Sequence, residues 1–182
     1  LVYSEAQSAN GMSPSQVDQL MQAYYGVTTY DVVDDIESGG IHHIDTWGKF
    51  LDEETVLVKR VWPGHGTWAA LEQRATLIAS LPASTGREFR VFRVDCQDIG
   101  GGKPASYTNS LLANGVVHMP AFGDAAHDSA AVNAYRMAAP GWDVRAYAYA
   151  GWLTDDALHC RVMGVPDRLM LRVAHVPIRG ET

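Results

Sequence analysis

No stretch of this chain approaches the roughly 18 consecutive apolar residues of a membrane-spanning helix. Its longest apolar clusters, such as Val56-Leu57-Val58 and Ser110-Leu111-Leu112-Ala113, are of strand size, so no membrane partner is expected. Basic residues are also scarce. Fourteen Lys and Arg against 21 Asp and Glu leave a formal charge of −7, and no Lys/Arg cluster forms the basic stripe that nucleic-acid binding needs. An acidic chain suits a cationic ligand better. Two cysteines make no disulfide framework and leave the redox compartment open. His42, His43, Asp45, His65, His118 and His159 could ligate a metal, but no H-E-x-x-H or paired C-x-x-C spacing supports that. Gly100-Gly101-Gly102-Lys103 lacks the hydroxyl residue of a phosphate loop and runs into Pro104, so it reads as a flexible loop. The chain starts at Leu1 without a Met or a leader, from which we expect that any secretion signal was removed or lies upstream.

What is present is enough apolar material for a core. At 47% hydrophobic over 182 residues, disorder is excluded and one domain, or a large part of one, is expected. Ser13-Pro14 signals a helix start, with Ser13 as N-cap and Val17, Leu20, Met21 and Tyr24 at helical spacing. A short strand over Thr28 to Val33 is expected next. Alternation predicts strands from His43 to Phe50 and Thr55 to Val61. A helix from Thr67 to Leu81 and a strand from Glu88 to Val94 follow. The order then recurs: strands at Tyr107 to Ala113 and Val116 to Ala121 around the turn Asn114-Gly115, a helix near Asp128 to Ala138, and a strand from Asp143 to Tyr149. Cys160 to Val165 and Leu169 to Val176 would start a third round.

This recurrence is a ββαβ repeat, and repeated units complete one another by packing side by side. The chain reads as the helix-strand end of one unit, two full units near 43–94 and 107–149, and the strand-strand start of another near 160–176. Further N-terminal units would be needed to close a ring. The first strands begin near His43-Asp45, Asn109 and His159-Cys160, equivalent places that converge on an axis if the units are radial.

The chemistry-bearing motif is Asp155-Asp156-Ala157-Leu158-His159-Cys160-Arg161, set far downstream of His42-His43-Ile44-Asp45. A cysteine acts as a nucleophile once it is a thiolate and a neighbour handles protons, and a histidine with a carboxylate two residues on can do both. On a strand, His43 and Asp45 would share one face, where a half-buried sheet otherwise carries apolar groups. Cys96 has no such relation and reads as structural. Of the five tryptophans, Trp152 is the candidate for a site wall. A papain-like arrangement would place the cysteine first and the histidine after it, the reverse of the order here.

The segments Gly39-Gly40-Ile41-His42-His43-Ile44-Asp45-Thr46-Trp47-Gly48-Lys49-Phe50-Leu51, Tyr107-Thr108-Asn109-Ser110-Leu111-Leu112 and Asp156-Ala157-Leu158-His159-Cys160-Arg161 resemble the bacterial (Porphyromonas-type) peptidylarginine deiminases over almost the whole chain. The resemblance implies an α+β pentein fold, an α/β propeller of five ββαβ units around a central site, of which this chain covers roughly the C-terminal half. It implies hydrolysis of the guanidino group of arginine, free or in a peptide, with no metal or organic cofactor. It makes Cys160 the nucleophile, His43 the general acid/base, Asp45 the guanidinium-binding carboxylate and Asn109 the active-site asparagine. The family's second guanidinium-binding aspartate and its substrate-carboxylate arginines have no counterpart here, so the N-terminal half of the enzyme is an expected partner. Thr46 stands where family members often have cysteine, and no triple glycine precedes Cys160, which favours arginine over agmatine. Some family members are secreted. The rival expectations are a non-catalytic pentein-like module binding a cationic ligand and a cysteine amidohydrolase of another substrate.

Overall fold

The structure, a computed structural model, describes residues 10–27, 29, 31–36 and 42–164. The first element is α1 (Pro14–Tyr25), capped as its sequence dictates. The Ser13 Oγ accepts from the Gln16 backbone N–H, and the Gln16 side chain returns the bond to the Ser13 N–H at 2.7 Å.

Two three-stranded sheets follow, each made by the same β-β-α-β order. The first holds β1 (Gly48–Phe50), β2 (Thr55–Arg60) and β3 (Arg90–Asp95), with α2 (Trp68–Ser80) as the crossover. The second holds β4 (Leu111–Ala113), β5 (Val116–Ala121) and β6 (Asp143–Ala148), with α3 (Ala125–Ala138) as the crossover. In each, the first two strands are antiparallel and the second and third parallel, with six-residue ladders from Thr55↔Arg90 to Arg60↔Asp95 and from Val116↔Asp143 to Ala121↔Ala148. The β4–β5 hairpin turns through Asn114 (φ 52°) and Gly115 (φ 75°). Left-handed backbone at both central positions matches the twist of the flanking strands.

Packing follows strand periodicity. On β2, Val56 and Val58 join Leu71, Ala75 and Ile78 of α2, while Leu57 faces the other way, into a core shared with Ala131, Ala134, Tyr135 and Ala138 of α3. The first sheet is thus covered by its own helix on one side and by the second unit's helix on the other. That explains a β2 buried on both faces.

Four expected strands are shortened or absent. Residues 29 and 31–33 carry no strand; Thr28 and Tyr30 lie outside the described residues. The segment from His43 is a 3-10 turn (Ile44–Thr46) before it becomes β1, because the Thr46 N–H and Oγ1–H both donate to the His43 carbonyl, at 3.2 and 2.7 Å. The stretch ahead of β4 turns likewise, with the Asn109 N–H donating to the Ser106 carbonyl at 3.0 Å. Cys160 lies in a second 3-10 turn (His159–Arg161), not at a strand start, and 162–164 are irregular. The strand expected over Leu169 to Val176 lies outside the described residues.

Candidate active site

The three places expected to be equivalent do converge, and what brings them together is one side-chain amide. Asn109 is fully buried just ahead of β4. Its Nδ2 donates to Asp45 Oδ2 at 2.9 Å and lies 3.0 Å from Cys160 Sγ. Its Oδ1 accepts from the Cys160 N–H at 3.2 Å, and its backbone carbonyl accepts from the His159 N–H at 3.1 Å. Asn109 therefore ties the segment before β4 both to the turn before β1 and to the Cys160 turn.

Asp45 is buried, while His43 is exposed, so the two do not share a strand face as the alternation predicts. The 3-10 turn separates them, yet both line one cleft of about 650 Å³. Asp45 Oδ2 also meets His159 Nδ1 at 2.6 Å. Oδ1 has no hydrogen-bond partner among the described residues, and neither has the His43 imidazole. One carboxylate oxygen is held by two side chains, and the other carries no hydrogen bond among the described residues.

The two cysteines differ sharply. Cys96 is buried between the first sheet and α3, and burial pushes its thiol up to about 11, which keeps it protonated and inert. Cys160 is exposed. Trp152 does not line the cleft. It donates from Nε1 to the Tyr147 carbonyl at 2.8 Å and, with Tyr149, flanks the Arg161 guanidinium, which pairs with Asp156 and braces the Cys160 turn from behind. Among the described residues no three His, Cys, Asp or Glu side chains are grouped as a metal requires. His42 pairs with Asp35, His65 with Thr67 and the Gly102 carbonyl, and His118 with Tyr147.

Two cleft residues escaped the sequence reading. His159, read as a strand neighbour of Cys160, faces Asp45 because the turn swings both side chains inward. Lys49, the second residue of β1, donates from Nζ to the Ser110 carbonyl and lines the cleft beside Asp45. A lysine alternating inward on a strand was the available signal.

The model of the Porphyromonas-type peptidyl-arginine deiminases matches residues 3–166. The chain belongs to that family. Among solved structures, a Porphyromonas gingivalis protein named for arginine deiminase is similar at 23% identity with a TM-score of 0.70, over 83% of this chain and 47% of its own. The agmatine deiminase of Enterococcus faecalis is similar at 19% identity and a TM-score of 0.67, over 83% and 48%. The C. jejuni agmatine deiminase stands at 18% and 0.64, over 82% and 46%. These likenesses establish the pentein fold for this family member, which spans about half the length of the structures it matches. Of the sequence-predicted residues, Asn109 touches both Asp45 and Cys160, His43 lines a cleft with Asp45, and Trp152 stands outside it.

Proposed function

We propose that this deiminase-family chain carries the nucleophile half of a site that hydrolyses the guanidino group of an arginine-type substrate, peptidyl or free, to a citrulline-type urea and ammonia. The observation that carries the reading is the Asn109 amide, which holds a thiol and a carboxylate 3.0 and 2.9 Å from one nitrogen. A guanidinium is planar, cationic and a poor electrophile, so it needs a carboxylate along its N–H edge and a thiolate aimed at its central carbon. Asp45 Oδ1 faces that first task and Cys160 Sγ the second. Attack forms the S–C bond of a tetrahedral adduct; collapse breaks a C–N bond, and His43 gives the proton that lets ammonia leave. A thiouronium-type intermediate remains on Cys160. His43 then takes one proton from water as its oxygen bonds to the same carbon; the C–S bond breaks, the departing sulfur takes the remaining hydroxyl proton, and the urea and the Cys160 thiol are released.

We further propose that the family's second carboxylate and the residues reading the rest of the substrate belong to the other half of the fold, and that the 182-residue chain by itself makes no citrulline. Citrulline released by the purified chain alone would overturn this part. The nucleophile assignment is tested by intact mass after brief exposure to a haloacetamidine, a guanidinium mimic. Cys160 should be modified far faster than Cys96, and Asn109→Ala should slow it by tenfold or more. Equal labelling of the two thiols would favour a binding module, and preferential acylation by uncharged esters would favour an amidohydrolase.

A further inference from the structure

We propose that Lys49 is a positioning residue for this site: its ammonium fixes the Asn109–Ser110 backbone and supplies the positive charge that favours the thiolate of Cys160. The inference rests on the reading of Cys160 as the reactive thiol.

Three observations converge on it. First, Lys49 reaches from β1 of the first unit to the Ser110 carbonyl of the second, 61 residues away, and Ser110 follows the residue that holds both Cys160 and Asp45. Ser110 is fully buried and its Oγ lies 2.8 Å from the Tyr135 hydroxyl, so the carbonyl that Lys49 grips belongs to a fixed segment. Second, an ammonium has three N–H donors. One goes to Ser110 and no acceptor for the others is found among the described residues, so the charge faces the cleft unneutralised by an ion pair. Third, burial lowers the Lys49 pKa, while the negative charges available at Asp45 and Cys160 hold it up. A half-buried cation is costly unless anions stand near it. Asp45 is one; the Cys160 thiolate is the other that the site can generate.

The groups facing Lys49 are Asp45, His43, His159 and Cys160. The same cleft is also lined by Asp31, Asp34 and the Asp35–His42 pair. Lys49 is the lysine or arginine that lines this cleft among the described residues.

A structural tie and an electrostatic role make different predictions. Any donor of the right reach can hold a carbonyl, but a charge effect needs a charge. The test is the pH dependence of Cys160 alkylation by iodoacetamide in the full chain and in Lys49→Gln, Lys49→Met and Lys49→Arg, with Cys96 as the slow internal reference and thermal melting alongside. Gln and Met should move the half-maximal rate to higher pH by roughly half a unit or more, with Arg restoring the original profile. Gln keeps a donor, which guards against misreading a poorly folded Met variant. An unmoved profile in both neutral variants, or an equal shift in all three, would overturn the proposal. Iodoacetamide reports thiolate alone, so a charge-dependent profile together with failed haloacetamidine selectivity would keep the role of Lys49 and sink the deiminase reading.

Discussion

Cys96 and Cys160 are the same residue type in opposite surroundings, and the contrast predicts a pH response. An unfolded cysteine titrates near pH 8.5, whereas burial raises Cys96 to about 11. The fold therefore favours the neutral thiol. The stability linked to it is whole below about pH 8.5 and is lost as pH rises through the folded value, by roughly 3 kcal/mol in all. Tyr107 and Tyr135 are also raised, chiefly by burial, but unfolded tyrosine begins to titrate nearer pH 10, so the interval below that belongs to Cys96. Urea midpoints at pH 7.5 and 9.5 should fall closer together in Cys96→Ala than in the parent chain; an unchanged gap would show that Cys96 is not the source. At this scale the sequence named the thiol, carboxylate and amide, because Asp45 and Asn109 sit in polar motifs ahead of β1 and β4 and Cys160 in the charged run Asp155–Arg161. The inward alternation of Lys49 was a signal, but its contact across 61 positions was not legible, and neither was the 3-10 turn that sets His159 against Asp45.

Among the elements, α3 contributes most to the site without touching its chemistry. The Tyr135 hydroxyl, fully buried, lies 2.8 Å from Ser110 Oγ and 2.9 Å from the Tyr107 carbonyl. Tyr135→Phe keeps the ring but leaves that carbonyl without the hydroxyl, so a loss of about 1–3 kcal/mol is expected, read by chemical denaturation. Slower Cys160 alkylation should accompany it, because the same bonds seat the segment carrying Asn109. Stability and alkylation both unchanged would show that the segment holds itself. Elements with strong periodicity were legible: β5 falls on Val116–Ala121 as expected, and α2 within one residue of each expected end. The failures share a cause. Residues 43–47 and 107–110 have strand-like alternation, yet the Thr46 and Ser110 hydroxyls bond to nearby backbone carbonyls and the chain curls, while 159–161 turn through the Arg161 N–H to Leu158 carbonyl bond. Alternation records which side chains are buried; it does not record that polar groups are buried to build a site.

Over the whole molecule, two β-β-α-β sheets share α3 as a common layer, and the site lies at the seam between them and the Cys160 turn. The repeat was readable because each unit restarts the same pattern, with Asn114-Gly115 marking a hairpin. The orientation of the units toward each other was not, since it depends on small residues of α3 such as Ala131 and Ala134 fitting against the first sheet. The Asn109 amide has one more implication, in time instead of space. It joins positions 64 residues upstream and 51 downstream, so both contacts must wait for long loops to close. Cys96 is covered once the two sheets dock through α3, whereas Cys160 gains its partner when the last turn folds back. In refolding followed by pulses of a neutral alkylating reagent, Cys96 should become protected before Cys160 acquires its native reactivity; the reverse order would mean that the turn docks first. The exposed thiol is then a clock for assembly, reporting when the 159–161 turn has reached Asn109.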